Sequence, residues 1–246
     1  MSRLPAVVVA SLLGVVSANA TDVLVDPGGE ICPQEAIVGS FFSEAVGSVP
    51  GETSAIGCAL APVIDPAHPA WLAFDVASVP RHLIVRVTLD LCRTQIAANE
   101  EIDVLDVGAQ TAQASPITVS IGGGPAVFYV RLGWRDGSLV KSQASTISGP
   151  TAALGLWLDR GNAATSTGGF VRLLVDGKDA IDTGSAESAA SALPEPGSSA
   201  PTRVRFGVIG VRNLAEEPTG SAGVLLLRPL GVELAWSRQP GVPGGQ

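Results

Sequence analysis

From residue 71 onward, apolar and polar residues alternate in short runs broken by turn chemistry. In LIVRVTLDL, Leu83, Val85, Val87, Leu89 and Leu91 share one face and Ile84, Arg86, Thr88 and Asp90 the other, the period of two of a strand with one buried side. FYVRLGWRDG repeats it, with Phe128, Val130, Leu132 and Trp134 inward, Tyr129, Arg131 and Arg135 outward, and Asp136-Gly137 predicting a tight hairpin. In GFVRLLVDGKDAI, Val171, Leu173 and Val175 lead into a second hairpin signal, Asp176-Gly177. Further strands are predicted in LGLWLD (154–159), RVRFGVIG (203–210), GVLLLRPL (223–230) and GVELAW (231–236). In RVRFGVIG, Val204, Phe206 and Val208 face one way and Arg203 and Arg205 the other. So many short strands with no helical pattern between them predict an all-β fold, two antiparallel sheets packed as a sandwich, because one open sheet of this width cannot bury both faces.

The remaining stretches set the domain plan. Residues 1–20, MSRLPAVVVASLLGVVSANA, combine Arg3, an apolar run through Val16 and an Ala18-Asn19-Ala20 ending, which reads as a signal peptide cleaved after Ala20. The run is shorter than the ~20 residues that span a bilayer, so no transmembrane anchor is expected after cleavage, and the protein is expected to be secreted or periplasmic. Residues 21–70 carry Pro-Gly turn signals around brief apolar runs and are expected to form an irregular segment over the sandwich, contributing an edge strand. The sandwich itself is expected over 71–236, with a mobile loop at 185–202 and a disordered tail at 237–246.

Composition changes the picture in two places. A formal charge of −8 repels phosphate backbones and argues against nucleic acid as a partner. All three cysteines lie in the part expected to reach an oxidising space; Cys32 with Cys58 is the preferred pair, and Cys92 with either is the alternative. Neither the cysteine spacing nor His68 and His82 match a metal site, and no cofactor is expected. Calcium stays open, since Asp136, Asp159, Asp176, Asp179 and Asp182 sit in predicted turns, but no one loop gathers three acids, and Asp before Gly is an ordinary turn residue.

The order of features from Phe74-Asp75-Val76 through Trp134, LGLWLDRG, the Gly168-Gly169 turn, FVRLLVDGK, RVRFGVIG and TGSAGVLLLRPLGVE resembles the concanavalin A-like lectin/glucanase superfamily. More narrowly it resembles the laminin-G-like jelly rolls of secreted bacterial proteins, chiefly through the Val175–Lys178 hairpin after a strand carrying Trp157. The resemblance covers residues 71–236 and implies a jelly-roll sandwich. Where many relatives carry an aromatic-Asp-Asp pattern, this chain reads Leu225-Leu226-Leu227-Arg228. The superfamily holds lectins, hydrolases and adhesion modules, so the fold does not choose among functions.

Within this resemblance NEEIDVLDVG (99–108) stands out. Family 16 glycoside hydrolases carry Glu-x-Asp-x-x-Glu or Glu-x-Asp-x-Glu on one strand, where residues two apart share a face and a bulge brings the third carboxylate beside them. The resemblance would make Glu101 the nucleophile, Asp103 its helper and Asp106 the acid/base. Asp106 is one methylene short for that role, and strict alternation would put Ile102, Val104 and Asp106 on one face and Asp103, Leu105 and Val107 on the other. Aromatic residues are only 4% of the chain, few for a groove that stacks sugars; Trp157 and Tyr129, at outward positions, are the ligand-binding candidates. The expectation is a non-catalytic module binding polysaccharide or a cell-surface glycan, with a family 16 type hydrolase or a structural envelope protein as alternatives.

Overall fold

The computed structural model describes residues 21–24, 42–76, 82–109, 117–124, 127–136, 139–159, 169–183, 202–215 and 220–235. Within them lie seventeen strands and no helix: β1 (Thr21–Leu24), β2 (Glu44–Val46), β3 (Gly51–Ser54), β4 (Gly57–Leu60), β5 (Ala70–Val76), β6 (His82–Asp90), β7 (Thr94–Gln95), β8 (Glu100–Ala109), β9 (Ile117–Gly124), β10 (Val127–Asp136), β11 (Leu139–Ile147), β12 (Thr151–Asp159), β13 (Phe170–Val175), β14 (Lys178–Asp182), β15 (Thr202–Asn213), β16 (Ala222–Gly223) and β17 (Leu226–Ala235). One sheet of eight strands runs β14-β13-β12-β6-β17-β4-β3 with β1 also on β17; a second of seven runs β11-β10-β9-β8-β15-β5-β2; β7 and β16 form a two-stranded ribbon. The two large sheets are antiparallel throughout and share one core, so the fold is the all-β, two-sheet jelly-roll sandwich expected from the alternation.

The core is built by the predicted faces. Val85, Val87 and Leu89 of β6 and Leu154, Leu156 and Leu158 of β12 project into it from the eight-stranded sheet. Val130 and Leu132 of β10, and Val204, Phe206 and Val208 of β15, meet them from the seven-stranded sheet. Each such side chain stabilises the fold by roughly 1.5–3 kcal/mol when taken out of water. Trp134 is half-buried against the same core. The β13–β14 hairpin turns at Asp176 and Gly177, both with positive φ (51° and 75°), which is why Asp-Gly marks it.

Several expectations are corrected. The stretches 223–230 and 231–236, expected as two strands, are not divided at 230: Leu226–Ala235 is one strand, β17, because β6 pairs with it from Leu226↔Asp90 to Ala235↔His82; Pro229, which has no N–H, sits at its irregularity. The segment 21–70 is less irregular than expected: β1, β3 and β4 join the eight-stranded sheet and β2 the seven-stranded one. The triplet Gly122–Gly124 is the end of β9, with Gly123 and Gly124 paired to Phe128 and Val127. Cys92 is free and exposed, which removes its alternative pairings; Cys32 of the preferred pair lies outside the described residues. The expected signal peptide, the loop 185–202 but for Thr202, and the tail also lie outside them.

Candidate active site on the seven-stranded sheet

The outer face of the seven-stranded sheet is polar because two strands change phase side by side. In β8, Ile102, Val104, Leu105 and Val107 all point to the core, and a register shift between Asp103 and Leu105 absorbs the extra residue. This bulge turns Glu101, Asp103 and Asp106 onto one face, which strict alternation would not do. On the neighbouring β15 the register shifts between Phe206 and Gly210, so Arg203 and Arg205 face out before it and Arg212 after it. Gly207 at this shift has φ +137°, and a Cβ there would stand 2.4 Å from the Ala70 carbonyl oxygen, a close approach open only to glycine.

Glu101 is the centre of the face. It is fully buried; Tyr129 Oη donates to Oε1 at 2.8 Å and Arg131 Nε to the same oxygen at 2.5 Å. Arg212 Nη2 stands 3.1 Å from Oε2, close enough for an ion pair though not aligned as a hydrogen bond. Beside it, Asp103 Oδ1 accepts from Ser120 Oγ at 2.6 Å and from Arg212 Nε at 2.9 Å, while Arg212 Nη2 also donates to Ser120. Asp106 is held by both Nε and Nη2 of Arg205, whose guanidinium lies 5.1 Å from the centre of the Trp71 ring. Further along, Arg203 binds Asp75 with two nitrogens and Glu44 with the third. Four guanidiniums thus meet five carboxylates across one sheet face.

Tyr129 reaches Glu101 because β9 offers it no obstacle. Residues Tyr129, Gly122 and Glu101 are cross-strand neighbours on β10, β9 and β8. A Cβ at Gly122 would fall 2.3 Å from the Tyr129 Cζ and hydroxyl oxygen, so only glycine lets the ring lie across the strand. Burial raises the Tyr129 phenol above its ordinary pKa, and the bond to Glu101 raises it further, which keeps the phenol protonated at neutral pH. Burial likewise pushes the Asp103 carboxyl up, against the downward pull of Ser120 and Arg212.

The three carboxylates singled out in NEEIDVLDVG therefore share a face, but not as a hydrolase needs them. Glu101, cast as nucleophile, is sealed beneath Tyr129, Arg131 and Arg212, and Asp106, cast as acid/base, has a side chain only 4% exposed and clamped by Arg205. Open chemistry lies with Tyr129, Asp103 and the ends of Arg131 and Arg212. Arg131 was assigned outward with Tyr129, whereas Ser120, Gly122 and Arg212 were missed, since nothing local in the sequence says which strands adjoin β8.

Trp157, paired with Tyr129 as a ligand-binding candidate, is on the other sheet. Its ring stands edge-on to Phe170 (5.5 Å, 74°), and Arg172 covers Phe170 at 4.6 Å. The two candidates occupy opposite outer faces of the sandwich and cannot share one ligand. The turn acids are also dispersed: Asp159 is buried beside His82 at 3.3 Å, Asp176 caps the Ala153 amide, and Asp182 pairs with Arg172. No group of three metal-ligating side chains occurs among the described residues, and no helix among them is long and apolar enough to cross a membrane.

No family model matches the chain, and no curated protein does. Solved structures do. An alginate lyase from Pseudomonas aeruginosa superposes with a TM-score of 0.50 at 10% identity, over 75% of this chain and 85% of that one. A family 7 alginate lyase in complex with substrate gives 0.52 at 9% identity, over 77% and 83%. The catalytic domain of a laminarinase from Thermotoga petrophila gives 0.48 at 10% identity, over 89% and 100%. At these identities the likeness shows the jelly-roll fold. It also corrects the functional expectation on one point: two of the solved structures that share this fold are alginate lyases, so the fold gives no ground for a non-catalytic module.

Proposed function

We propose that the protein is a polysaccharide-cleaving enzyme whose substrate lies across the outer face of the seven-stranded sheet, with Tyr129 as the proton donor to the departing sugar oxygen. The observation that carries this reading is the Tyr129 hydroxyl held on buried Glu101, over a glycine floor and beside Arg131 and Arg212. Burial and the anionic neighbour keep the phenol protonated at neutral pH, and a positioned general acid contributes typically 10²- to 10⁴-fold to a rate. The guanidinium ends of Arg131 and Arg212 supply the remaining donors that would orient a sugar. The alginate-acting enzymes that share the fold support a polysaccharide as the substrate.

Incubation with a panel of neutral and uronate-containing polysaccharides tests the reading, with new reducing ends and the ultraviolet absorbance of unsaturated products measured together. Tyr129→Phe is expected to lower turnover at least about 100-fold while costing only about 1 kcal/mol of stability. Release of no ends from any polysaccharide, or an unimpaired Tyr129→Phe enzyme, would overturn it.

Three expectations join this reading as proposals: export through the leader at 1–20, a bridge between Cys32 and Cys58, and a laminin-G-like affinity within the superfamily. A substrate too large to enter a cell suits export, and the free thiol at Cys92 leaves Cys58 and Cys32 as the remaining pair.

A further inference from the structure

We propose that Asp103 is the specificity-determining residue of this face, admitting an anionic sugar to Arg212 and Arg131 by taking up one proton from solvent as the sugar carboxylate seats. The inference rests on the reading of the face as a polysaccharide site and adds the class of sugar it takes.

Geometry singles Asp103 out. Of the three carboxylates of β8 on the outer face, Glu101 is fully buried and Asp106 is enclosed with Arg205, whereas the Asp103 side chain is 17% exposed and shares Arg212, itself 45% exposed. Arg212 commits Nε and Nη2 to Asp103 and Ser120, so a carboxylate seated on two of its nitrogens must displace at least one of these bonds. A sugar carboxylate and an ionised Asp103 therefore compete for one guanidinium.

Charge makes the same point. Arg131, Arg212, Glu101 and Asp103 sum to zero when all are ionised. An anionic sugar would leave the cluster at −1 in a half-buried setting, where like charges interact strongly. One proton on Asp103 returns it to zero and frees Arg212 for the ligand. The charged groups facing Asp103 are Glu101 and Asp106 on its own strand, Arg212 and Arg205 on β15, and Arg131 with Tyr129 on β10; β9 presents only Thr118, Ser120 and Gly122. Burial already biases the Asp103 carboxyl toward its neutral form, and Asp106 pushes the same way. A neutral sugar would need no such proton.

Calorimetric titration of the full chain, in the Tyr129→Phe background so that the probe stays intact, tests this. An alginate trisaccharide is the anionic probe and laminaritriose the neutral one, across about pH 4 to 8 in buffers of differing ionisation enthalpy. Alginate binding is expected to take up close to one proton and to weaken by up to about tenfold per pH unit above the Asp103 titration. Asp103→Asn should bind the alginate probe more tightly than its parent at neutral pH and with no pH slope. Ser120→Ala, which removes a donor that favours ionised Asp103, should move the slope to higher pH without flattening it. Alginate binding without proton uptake, or an Asp103→Asn protein that binds more weakly with the parental slope, would overturn the proposal. Preference for laminaritriose would overturn it too, yet leave the polysaccharide reading intact; failure of both probes would sink both.

Discussion

The two outer faces of the sandwich are built to the same plan and end in opposite chemistry. On the eight-stranded sheet, Trp157 stands edge-on to Phe170, which Arg172 covers, and the buried Trp157 Nε1 finds no acceptor among the described residues. On the seven-stranded sheet every carboxylate of β8 that faces out is met by a guanidinium from an adjoining strand. The same alternation produces both. What differs is whether the outward residues of neighbouring strands complement each other, and that distinguishes a merely covered surface from an ordered one.

The contrast breaks most severely at Glu101. Glu101→Gln would keep the shape and leave Arg131 and Arg212 without their shared counter-charge. Breaking a buried pair costs about 3–5 kcal/mol, and the partial exposure of both arginines puts the expected loss near about 3. A urea midpoint that stays at the wild-type value would show that the network adds nothing to stability. Gly122→Ala comes next, because the new methyl would occupy the place of the Tyr129 ring; displacement of a packed side chain costs about 1–3 kcal/mol. Tyr129 fluorescence is masked by the tryptophans, so the check is the denaturation midpoint combined with loss of turnover. On the other face, Trp157→Phe removes an unsatisfied N–H together with some ring area, and these oppose each other. A change within about 1 kcal/mol is expected, and a larger loss would mean that this face is ordered after all.

The sequence made the strands and their inward residues legible because a half-buried strand writes its burial into alternate positions, as in Leu83–Leu91 and Val204–Val208. The Asp176-Gly177 turn was equally plain, since its backbone angles demand those residues. What could not be read was phase. Nothing in NEEIDVLDVG says that Val104 and Leu105 both point inward, and without that the carboxylates fall on two faces. Partnership was hidden too: Glu101 meets Arg131 and Arg212 across 30 and 111 residues, on strands whose adjacency is a property of topology. Tyr129 was found by parity; Trp157 was chosen by the same parity, which cannot tell one sheet from the other.

The paired irregularities of β8 and β15 couple those two strands in length. Beyond each shift apolar residues return to the inward face, and the two shifts lie at the same level of the sheet. Deletion of Val104 alone would return β8 to simple alternation and slide Glu101 and Asp103 past their guanidiniums by one position. A compensating deletion in Gly207–Ile209 would be needed to bring Arg212 back. Insertions and deletions in this sheet are therefore expected to be tolerated in pairs across β8 and β15, and in neither strand alone.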